Sequence, residues 1–340
     1  MQTAPMDVVR SRVRPPLAIV LGSPREVVDL VAAVGVGEVI CYQMDLFQAD
    51  RIREELREIG LAAEVVTAPD LWDLPARFQT VLYPAPQGGE RILRIDVIEQ
   101  AFHVLGPRGS LVVLSPYEKE SFFPAALKKV FGRVHTPEAG EGMLFWCRRE
   151  RDRPRRRHEL TFQVHADEGP AFRFLSRPGV FSYGRFDDGA RALTEIATVN
   201  PGDAILDFGC GCGTNGVVAG RRAGPSGSVT FLDSNVRAVA LAEHNARANG
   251  LVSFKTVAAA SAEELPANHF HVVLANPPYY AQSSIAGMFI EQSRRLLRPG
   301  GRFYLVTKQP DQVGPLVAEA FGVTEPILRR GYTVLCAELE

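Results

Sequence analysis

The stretch Phe270-His-Val-Val-Leu-Ala-Asn-Pro-Pro-Tyr279 decides how the rest of this sequence is interpreted. Its apolar part, Phe270 to Ala275, predicts a buried strand, and the two prolines predict that the strand ends sharply. Because proline has no backbone N–H, the turn would leave carbonyl oxygens unpaired. Asn276 adds an amide oxygen, and Tyr279 adds a flat ring. This combination suits a planar ligand with an amino group. The carbonyl and amide oxygens would accept hydrogen bonds from the amino group, and the ring would stack on the plane of the ligand.

Strands and helices alternate along both halves of the chain. Apolar runs such as Leu17–Leu21 and Ala204–Phe208 predict strands, and amphipathic segments such as Asp45–Ile59 and Asn235–Asn249 predict helices. The length of 340 residues allows about two domains. Alternation of this kind predicts the α/β class, with two Rossmann-like domains that each contain a doubly wound, mainly parallel sheet.

The two predicted domains repeat one another. Val97–Gly109 parallels Phe289–Gly301, with Ile-Glu-Gln, a leucine, a proline and a glycine in register at an offset of 192 residues. Phe78 and Phe270 are separated by the same offset. A shared offset in two separate segments indicates tandem copies of one fold. We therefore predict a first copy at residues 1–147, a linker at 148–158 and a second copy at 159–340.

The predicted linker is rich in arginine. Residues 148–157 carry seven arginines and two acidic residues, interrupted by Pro154. Two interpretations are open, a solvated connector and a strap that contacts phosphates. The formal net charge of the chain is −1, which argues against binding nucleic acid over the whole surface. Any such contact must use a local patch.

Carboxylates and glycines mark the first two strands of the second copy. Asp207-Phe-Gly-Cys-Gly-Cys-Gly213 follows the first strand, and its glycines would let the backbone approach a ligand closely. Asp207 can accept a hydrogen bond from an ammonium or hydroxyl group, and Asp233 is placed to bind ribose hydroxyls. Together with Asn276, these side chains are predicted at the carboxyl ends of strands, where open α/β sheets bind ligands.

A dinucleotide site is the main alternative for this loop. Gly211-Cys-Gly-Thr-Asn-Gly216 fits the G-x-G-x-x-G pattern, which is a weak signal alone. A nicotinamide enzyme does not need an amino-binding turn at the fourth strand, so the combination favours S-adenosylmethionine. Cys210 and Cys212 lack a second cysteine pair nearby, so we predict buried thiols and no metal site.

These motifs resemble those of class I S-adenosylmethionine-dependent methyltransferases of the small-domain superfamily. Arg177-Pro-Gly-Val-Phe-Ser182, followed by Phe186, Asp187 and Gly189, resembles the segment that precedes the donor site in bacterial ribosomal RNA guanine-N2 methyltransferases. A tandem layout with a degenerate first copy is similar to these enzymes too. The resemblance thus covers most of the chain. The Tyr280-Ala281 pair departs from relatives that have His or Arg after the Asn-Pro-Pro-aromatic turn.

The resemblance implies a role for each residue of the donor site. Asp207 and the glycines would line the methionine part of the donor, Asp233 would bind its ribose, and Ser261 would approach its adenine. The implied donor-binding residues are Asp207, Gly209, Gly211, Gly213, Asp233 and Ser261.

The resemblance also implies the substrate site. Asn276 and the Pro277 carbonyl would hold the target amino group, and Tyr279 would stack on the base. The other implied substrate contacts are at the entrance, beside the turn and past the fifth strand: Phe181, Asp187, Pro278 and Lys308. For Phe181 and Asp187, packing and helix capping are equally open, and Lys308 could instead be a solvated lysine.

The first copy lacks these groups. When the two copies are aligned, Leu21 lies opposite Asp207 and Gln43 lies opposite Asp233. Residues 84–86 lie opposite Asn276 and the two prolines that follow it. We therefore predict that the first copy is not catalytic, and the family resemblance implies that it serves as an RNA platform and structural partner.

The predicted reaction is methyl transfer to an exocyclic amino group, the 2-amino group of a guanine in ribosomal RNA of the small subunit. The alternatives are an adenine amino group, a protein glutamine amide, and a non-enzymatic RNA-binding or assembly factor. The expected partner is ribosomal RNA or a ribosomal subunit. We also expect a cytoplasmic location, since the five cysteines are too scattered for a disulfide framework and the sequence has neither an apolar segment of the length of a membrane span nor a signal peptide. We expect a monomer, because two fused copies lessen the need for a dimer.

Overall fold

The computed structural model describes residues 5–35, 37–137, 142–166, 169–277 and 283–340. The chain divides into two compact units between His158 and Glu159. Helices that are both long enough and apolar enough for a bilayer are absent from these described ranges.

The N-terminal unit alternates strands and helices, as the sequence predicts. Its elements are α1 (Met6–Arg12), β1 (Leu17–Val20), α2 (Pro24–Val34), β2 (Val39–Gln43), α3 (Leu46–Glu58), β3 (Glu64–Thr67), a short 3₁₀ helix (Leu71–Asp73), β4 (Phe78–Pro84), α4 (Arg91–Val104), β5 (Leu105–Leu114), α5 (Phe122–Phe131) and β6 (Leu144–Arg148). Among the described residues these strands form a six-stranded sheet in the order β3-β2-β1-β4-β5-β6, with only β6 antiparallel to its neighbour.

The C-terminal unit repeats this architecture with additions at both ends. Its elements are β7 (Leu160–Val164), β8 (Phe172–Ser176), α6 (Asp188–Ile196), β9 (Ala204–Phe208), α7 (Thr214–Ala223), β10 (Ser228–Asp233), α8 (Val236–Ala248), β11 (Phe254–Ala258), β12 (Phe270–Ala275), α9 (Ser283–Leu296), β13 (Leu297–Thr307), α10 (Pro310–Phe321), β14 (Thr324–Arg329) and β15 (Tyr332–Glu338). The main sheet has the order β11-β10-β9-β12-β13-β15-β14, and β7 and β8 form a separate antiparallel hairpin.

Apolar clusters cover both faces of each main sheet. In β1, Ala18 and Val20 belong to one cluster, whereas Leu17 and Ile19 belong to another. Successive side chains of a strand point to opposite faces, so this split shows that the sheet is buried on both sides. The carboxyl ends of the strands are therefore the natural place for polar groups that bind a ligand.

The strand register confirms the tandem repeat. Phe78 pairs with Leu105, and the register then shifts so that Thr80 pairs with Ser110. Phe270 pairs with Leu297, and the same shift places Val272 opposite Arg302. Both pairs are related by the offset of 192 residues, so even the irregularity is duplicated.

One position of the predicted alignment is wrong. Leu82 pairs with Ile19, and its equivalent Leu274 pairs with Asp207, so Ile19 rather than Leu21 corresponds to Asp207. Leu21 corresponds instead to Gly209, and both have positive φ, 59° and 72°. The alignment failed here because the connections between strands differ in length, so the offset is not constant along the chain.

The other two predicted equivalences are confirmed. Tyr42 and Leu232 occupy the same position, because the carbonyl of each accepts a hydrogen bond from the residue directly after the first strand of its unit, Leu21 or Gly209. Gln43 therefore corresponds to Asp233. At the offset of 192 residues, Pro84 corresponds to Asn276.

The arginine-rich segment lies on the N-terminal unit. Arg148, predicted to begin the linker, is instead the last residue of β6. Arg149 donates to the carbonyl of Leu105, and Arg153 lies 3.2 Å from Glu99. The guanidinium groups of two further arginines lie over the ring of Trp72, namely Arg155 and Arg157. Much of the segment is thus bound to the unit that precedes it.

Candidate active site

Three adjacent strands bring the predicted polar groups to one edge. β9 lies between β10 and β12, and Asp207 pairs with Phe231 on one side and with Leu274 on the other. Asp233 is the last residue of β10, and Asn276 follows the last residue of β12. All three side chains therefore belong to the carboxyl edge of the sheet, as the sequence predicts.

Asp207 is a buried carboxylate that supports the glycine loop. Its side chain is 3% exposed, and its Oδ2 accepts a hydrogen bond of 2.8 Å from the backbone N–H of Gly216. Burial raises the pKa of Asp207 to about 8, the Gly216 N–H counteracts this, and the negative charge of Asp233 raises the pKa further. A cation placed beside Asp207 would stabilise its charged form.

Asp233 holds the other end of the same loop. Its Oδ2 accepts a hydrogen bond of 2.8 Å from the N–H of Gly211, and its Oδ1 accepts one of 2.9 Å from Asn235. The loop between β9 and α7 is thus held by carboxylates from two strands. Asp233 also brings a negative charge to the position where the sequence predicts ribose binding.

The three predicted loop glycines have different surroundings. A Cβ at Gly209 would lie 3.3 Å from the ring of Phe289, and one at Gly213 would lie 3.1 Å from the Cβ of Ala242. At Gly211, with φ of 53°, no atom of the described residues would lie within 4 Å of a Cβ. Gly211 therefore borders open space, whereas Gly209 and Gly213 allow close packing.

The helix that follows this loop, α7, has no cap from its own N-cap residue. Gly213 is the N-cap residue of α7 and makes no side-chain hydrogen bond. The corresponding helix of the N-terminal unit, α2, begins with a capping box, in which Ser23 and Glu26 bond each other's backbone N–H groups. Of these two equivalent helices, only α2 is thus capped by its own N-cap residue, whereas the N–H of Gly216 in the first turn of α7 is bound by Asp207.

The segment that resembles the family motif is held beside Asp233. Asn235 donates a 2.8 Å hydrogen bond to the carbonyl of Gly179, and the buried guanidinium of Arg237 donates one of 2.5 Å to Pro178. Val180 packs with Cys212 in a small apolar cluster. The start of α8 therefore fixes this segment next to the carboxyl edge.

Two asparagines one turn apart at the C-terminal end of α8, Asn245 and the C-cap residue Asn249, bind the backbone of β8. Asn245 accepts from the N–H of Leu175 and donates to its carbonyl, at 2.8 and 2.9 Å. Asn249 makes the same pair of bonds with Arg173, at 2.9 and 2.8 Å. The helical spacing of four matches the strand spacing of two, so the side-chain amides replace a neighbouring strand for β8. This clamp sets the position of the motif segment that follows.

Asn276 lies close to the predicted entrance residue Asp187. The Nδ2 of Asn276 is 3.5 Å from the Oδ2 of Asp187, which also accepts the N-cap hydrogen bond from Ala190 at 2.9 Å. A carboxylate on this side favours the orientation in which the amide nitrogen faces Asp187. The amide oxygen then faces the other way. Asp187 thus both caps α6 and lies beside the Asn276 amide.

The remaining predicted residues are less closely tied to this edge. Phe181 is 47% exposed, and Ser261 lies in the loop after β11. The Nζ of Lys308, just past β13, lies 4.6 Å from the ring centroid of Tyr332. Pro277 is buried, whereas Pro278 and Tyr279 lie outside the described residues. Their roles therefore stay predictions.

The cysteines of the loop are buried thiols, as predicted. Burial raises the pKa of Cys212 to about 12 and that of Cys210 well above its usual value. Both are therefore protonated at neutral pH. Among the described residues, no group of three or more His, Cys, Asp or Glu side chains could hold a metal ion.

Sequence reasoning missed the residues that position the site. Asn235, Arg237, Asn245 and Asn249 were not identified, because they act on backbone groups that are far away in the sequence. An available signal was the pair of asparagines four residues apart on one face of a predicted helix.

The comparison with protein families supports this site. The profile of the methyltransferase small domain family matches residues 171–336. Most of the C-terminal unit is thus similar to the methyltransferase small domain family. The matched residues include the motif segment, the glycine loop and all three polar groups of the carboxyl edge.

Proteins similar to this chain include ribosomal RNA small subunit methyltransferases. The chain is 33% identical over 168 residues to ribosomal RNA small subunit methyltransferase C of Pseudomonas entomophila, which is 48% of this chain and 49% of that protein. It is 29% identical over 215 residues to the enzyme of the same name from Pseudomonas syringae pv. tomato, covering 60% of this chain and 64% of that one. The chain thus matches about half to two thirds of the length of these relatives.

A solved structure extends the similarity to both units. The T. thermophilus 16S rRNA N2 methyltransferase RsmC, solved with AdoMet and guanosine, superposes with a TM-score of 0.73 and 23% identity. The superposition covers 98% of this chain and 91% of that one. It confirms the predicted fold, two tandem Rossmann-like domains of the class I methyltransferase type.

Proposed function

We propose that this protein transfers a methyl group from S-adenosylmethionine to the 2-amino group of a guanine in small-subunit ribosomal RNA. The observation that carries the proposal is the convergence of Asp207, Asp233 and Asn276 at one sheet edge. The relatives named above support the choice of ribosomal RNA, and the guanosine in the T. thermophilus structure supports the choice of base.

The residues of the glycine loop fit the proposed methyl donor. Gly211 borders open space at positive φ, so the backbone there has room for a ligand. Asp207 and Asp233 place two carboxylates at opposite ends of the loop. The donor carries a sulfonium, an ammonium and a ribose, which are groups that carboxylates bind. Asp233 would hold the ribose hydroxyls, and Asp207 would act on the cationic methionine part.

The target nitrogen is the other half of the proposed reaction. S-adenosylmethionine supplies an electrophilic methyl group that needs no further activation. An exocyclic amino nitrogen is a poor nucleophile, because its lone pair is delocalised into the ring. The Asn276 amide oxygen and the Pro277 carbonyl would accept hydrogen bonds from its two N–H groups. These hydrogen bonds would favour a pyramidal nitrogen with a directed lone pair. Positioning of this kind accounts for most of the rate in such a reaction.

The base must leave its stack to reach the carboxyl edge. The predicted stacking of Tyr279 on the base would offset part of this cost, and Asp187 would keep the Asn276 amide in the required orientation. Transfer of the methyl group would leave the nitrogen positively charged, and loss of one of its protons to solvent would complete the reaction.

Substitution of Asn276 by alanine tests this assignment. We expect methylation of ribosomal RNA to fall by about 10²- to 10³-fold, since a transition-state hydrogen bond is lost. The affinity for S-adenosylmethionine, measured by calorimetry, should stay within about twofold of wild type. The matched control is Asn200→Ala, which alters an exposed asparagine at the opposite edge of the sheet, before β9. Full activity of Asn276→Ala would contradict the proposed role.

The substrate is tested by mass spectrometry of nucleosides from ribosomal RNA of a deletion strain. We expect N2-methylguanosine to decrease in the small subunit, and to be restored by the wild-type gene but not by Asn276→Ala. A decrease in a methylated adenosine would assign the adenine alternative, and loss of a methylated glutamine in mass spectrometry of the ribosomal proteins would assign the amide alternative. An unchanged profile together with no heat of S-adenosylmethionine binding would favour the non-enzymatic assembly factor.

A further inference from the structure

Aromatic and basic side chains cluster on β6, the outermost strand on one side of the N-terminal sheet. The rings of His135 and Trp146 are stacked, with centroids 3.7 Å apart and an interplanar angle of 2°. The guanidinium groups of Arg12 and Arg148 each lie 5.4 Å from the centroid of the Trp146 ring. Arg133 acts electrostatically on His135. We call this group, Arg12, Arg133, His135, Trp146 and Arg148, the Trp146 patch.

The Trp146 patch is accessible and positively charged. All three of its arginines are exposed, and both of its rings are partly exposed. Partial burial and the three arginines lower the pKa of His135, and Glu150 is the acid that opposes them. The imidazole is therefore neutral at neutral pH, and the three guanidinium groups supply the charge. A chain with a net charge of −1 thus carries a local basic surface here.

The Trp146 patch lies where the two copies of the fold differ. In the C-terminal unit, β14 pairs along the whole outer edge of β15, and Cys336 faces Glu325. In the N-terminal unit, Trp146 occupies the position of Cys336 and meets His135 in an isolated bridge. Within the described residues, no strand covers the rest of the outer edge of β6. An acid and a thiol in one copy are thus replaced by two rings and flanking arginines in the other.

Most of the arginine-rich segment is used in other contacts. Arg149 and Arg153 donate to backbone carbonyls of the N-terminal unit, and Arg155 and Arg157 lie over Trp72. Arg148, by contrast, lies on the same face of β6 as Trp146, because residues two apart on a strand point the same way. The segment therefore acts mainly as a strap on its own unit, and Arg148 contributes its charge to the Trp146 patch.

We propose that the Trp146 patch binds single-stranded RNA, with its arginines on phosphates and its stacked rings against an unstacked base. Basic side chains interleaved with aromatic rings are the arrangement that binds single strands without strict sequence preference. Unstacked bases also pack on guanidinium planes. The proposal rests on the proposed function, which makes RNA the substrate. It assigns the RNA-binding role of the N-terminal unit to a defined surface.

The test measures binding of a fluorescein-labelled, mixed-sequence single-stranded RNA by fluorescence anisotropy over a range of salt concentrations. We expect Arg12→Gln/Arg148→Gln to weaken binding by about tenfold and to reduce the salt slope by about 1.4, since each phosphate contact on a single strand contributes about 0.7. His135→Ala should weaken binding severalfold and leave the salt slope unchanged, because it removes stacking but no charge.

The matched control is Arg51→Gln/Arg57→Gln, which removes two exposed charges from α3, a helix that packs against β3 at the opposite edge of the same sheet. This variant should bind RNA within about twofold of wild type. The inference is overturned if the Arg12/Arg148 variant keeps the wild-type affinity and salt slope, or if the control loses as much. Circular dichroism confirms that each variant is folded.

The outcomes separate this inference from the proposed function. Asn200→Ala should bind the RNA probe like wild type, since Asn200 belongs neither to the carboxyl edge nor to the Trp146 patch. If the protein binds RNA through the patch but never methylates it, the proposed function fails and the patch stands. If it methylates ribosomal RNA with an unchanged KM in the Arg12/Arg148 variant, the proposed function stands and the patch fails.

Discussion

The two units share a sheet order and even a register shift, but their carboxyl edges have opposite character. At the positions of Asp207 and Asp233, the N-terminal unit has Ile19 and Gln43. At the position of Asn276 it has Pro84, whose Cγ would lie 2.7 Å from a Cβ on Gly22. An apolar residue and a proline ring thus fill the edge that is polar in the other copy. The difference shows that this fold does not need its ligand site in order to form.

The largest effect that would test this comparison concerns the buried carboxylate. Because the folded-state pKa of Asp207 is raised from 3.8 to about 8, folding favours its protonated form. Its contribution to stability therefore falls as pH rises from about 4 to about 8 and is constant above that. We expect Asp207→Asn, without donor, to be more stable than wild type at pH 8 by on the order of several kcal/mol. Urea unfolding at a series of pH values measures the difference, and a difference independent of pH would refute the expectation.

The next effect concerns the second carboxylate of the site. Asp233→Gln introduces the residue that the N-terminal copy has at this position. We expect S-adenosylmethionine to bind about a hundredfold more weakly, since charge-assisted hydrogen bonds contribute about 1.5–3 kcal/mol. Calorimetry measures the affinity. Gln43→Asp is the reciprocal control and should create no second binding site, because Ile19 and Pro84 remain. If the N-terminal unit of that variant bound S-adenosylmethionine, the difference between the two carboxyl edges would not explain why only one unit has a donor site.

A third effect concerns the packing of α7 on the sheet. A Cβ at Gly216 would lie 2.3 Å from the ring of Phe231 and 2.8 Å from Asp207 Oδ2. We expect Gly216→Ala to destabilise the protein by about 1–3 kcal/mol. Gly287→Ala on α9 is the control, since no atom of the described residues lies within 4 Å of its Cβ position. It should be neutral or stabilise by about 0.5–1 kcal/mol. Equal melting temperatures of the two variants would contradict the packing argument.

The smallest expected effect concerns the capped helix of the N-terminal unit. Ser23→Ala removes the capping box of α2 and should destabilise the protein by about 1 kcal/mol. Donor affinity and methylation at saturating RNA should not change, because α2 lies in the copy without a polar edge. Thermal unfolding and calorimetry test the two statements separately. A loss of donor affinity would show that the N-terminal copy still takes part in binding the donor.

The sequence was sufficient to predict the fold and the polar edge for a specific reason. The central strands are apolar runs that end at Asp207, Asp233 and Asn276, so each polar group marks the end of its own strand. The last strands of each unit carry no such mark, and β6, β14 and β15 were not predicted. The outermost of them, β14, is largely exposed and contains Pro326, so its sequence resembles a loop.

Long-range contacts were also beyond the sequence. The clamp of Asn245 and Asn249 on β8 joins backbone and side-chain groups that lie 70 and 76 residues apart. The misplacement of Leu21 has a related cause, since connection lengths are set by packing in three dimensions. The positive φ of Leu21 was equally hidden, because leucine rarely adopts that conformation.

The capping box of α2 also bears on any attempt to build a donor site into the N-terminal unit. Ser23 and Glu26 satisfy the first backbone N–H groups of this helix, so the helix gains stability from its own side chains. A variant that opened these groups to a ligand would lose that stability, and Ile19 and Gln43 would still leave the edge without the two carboxylates of the other copy. A single substitution is therefore not enough to give this unit a donor site.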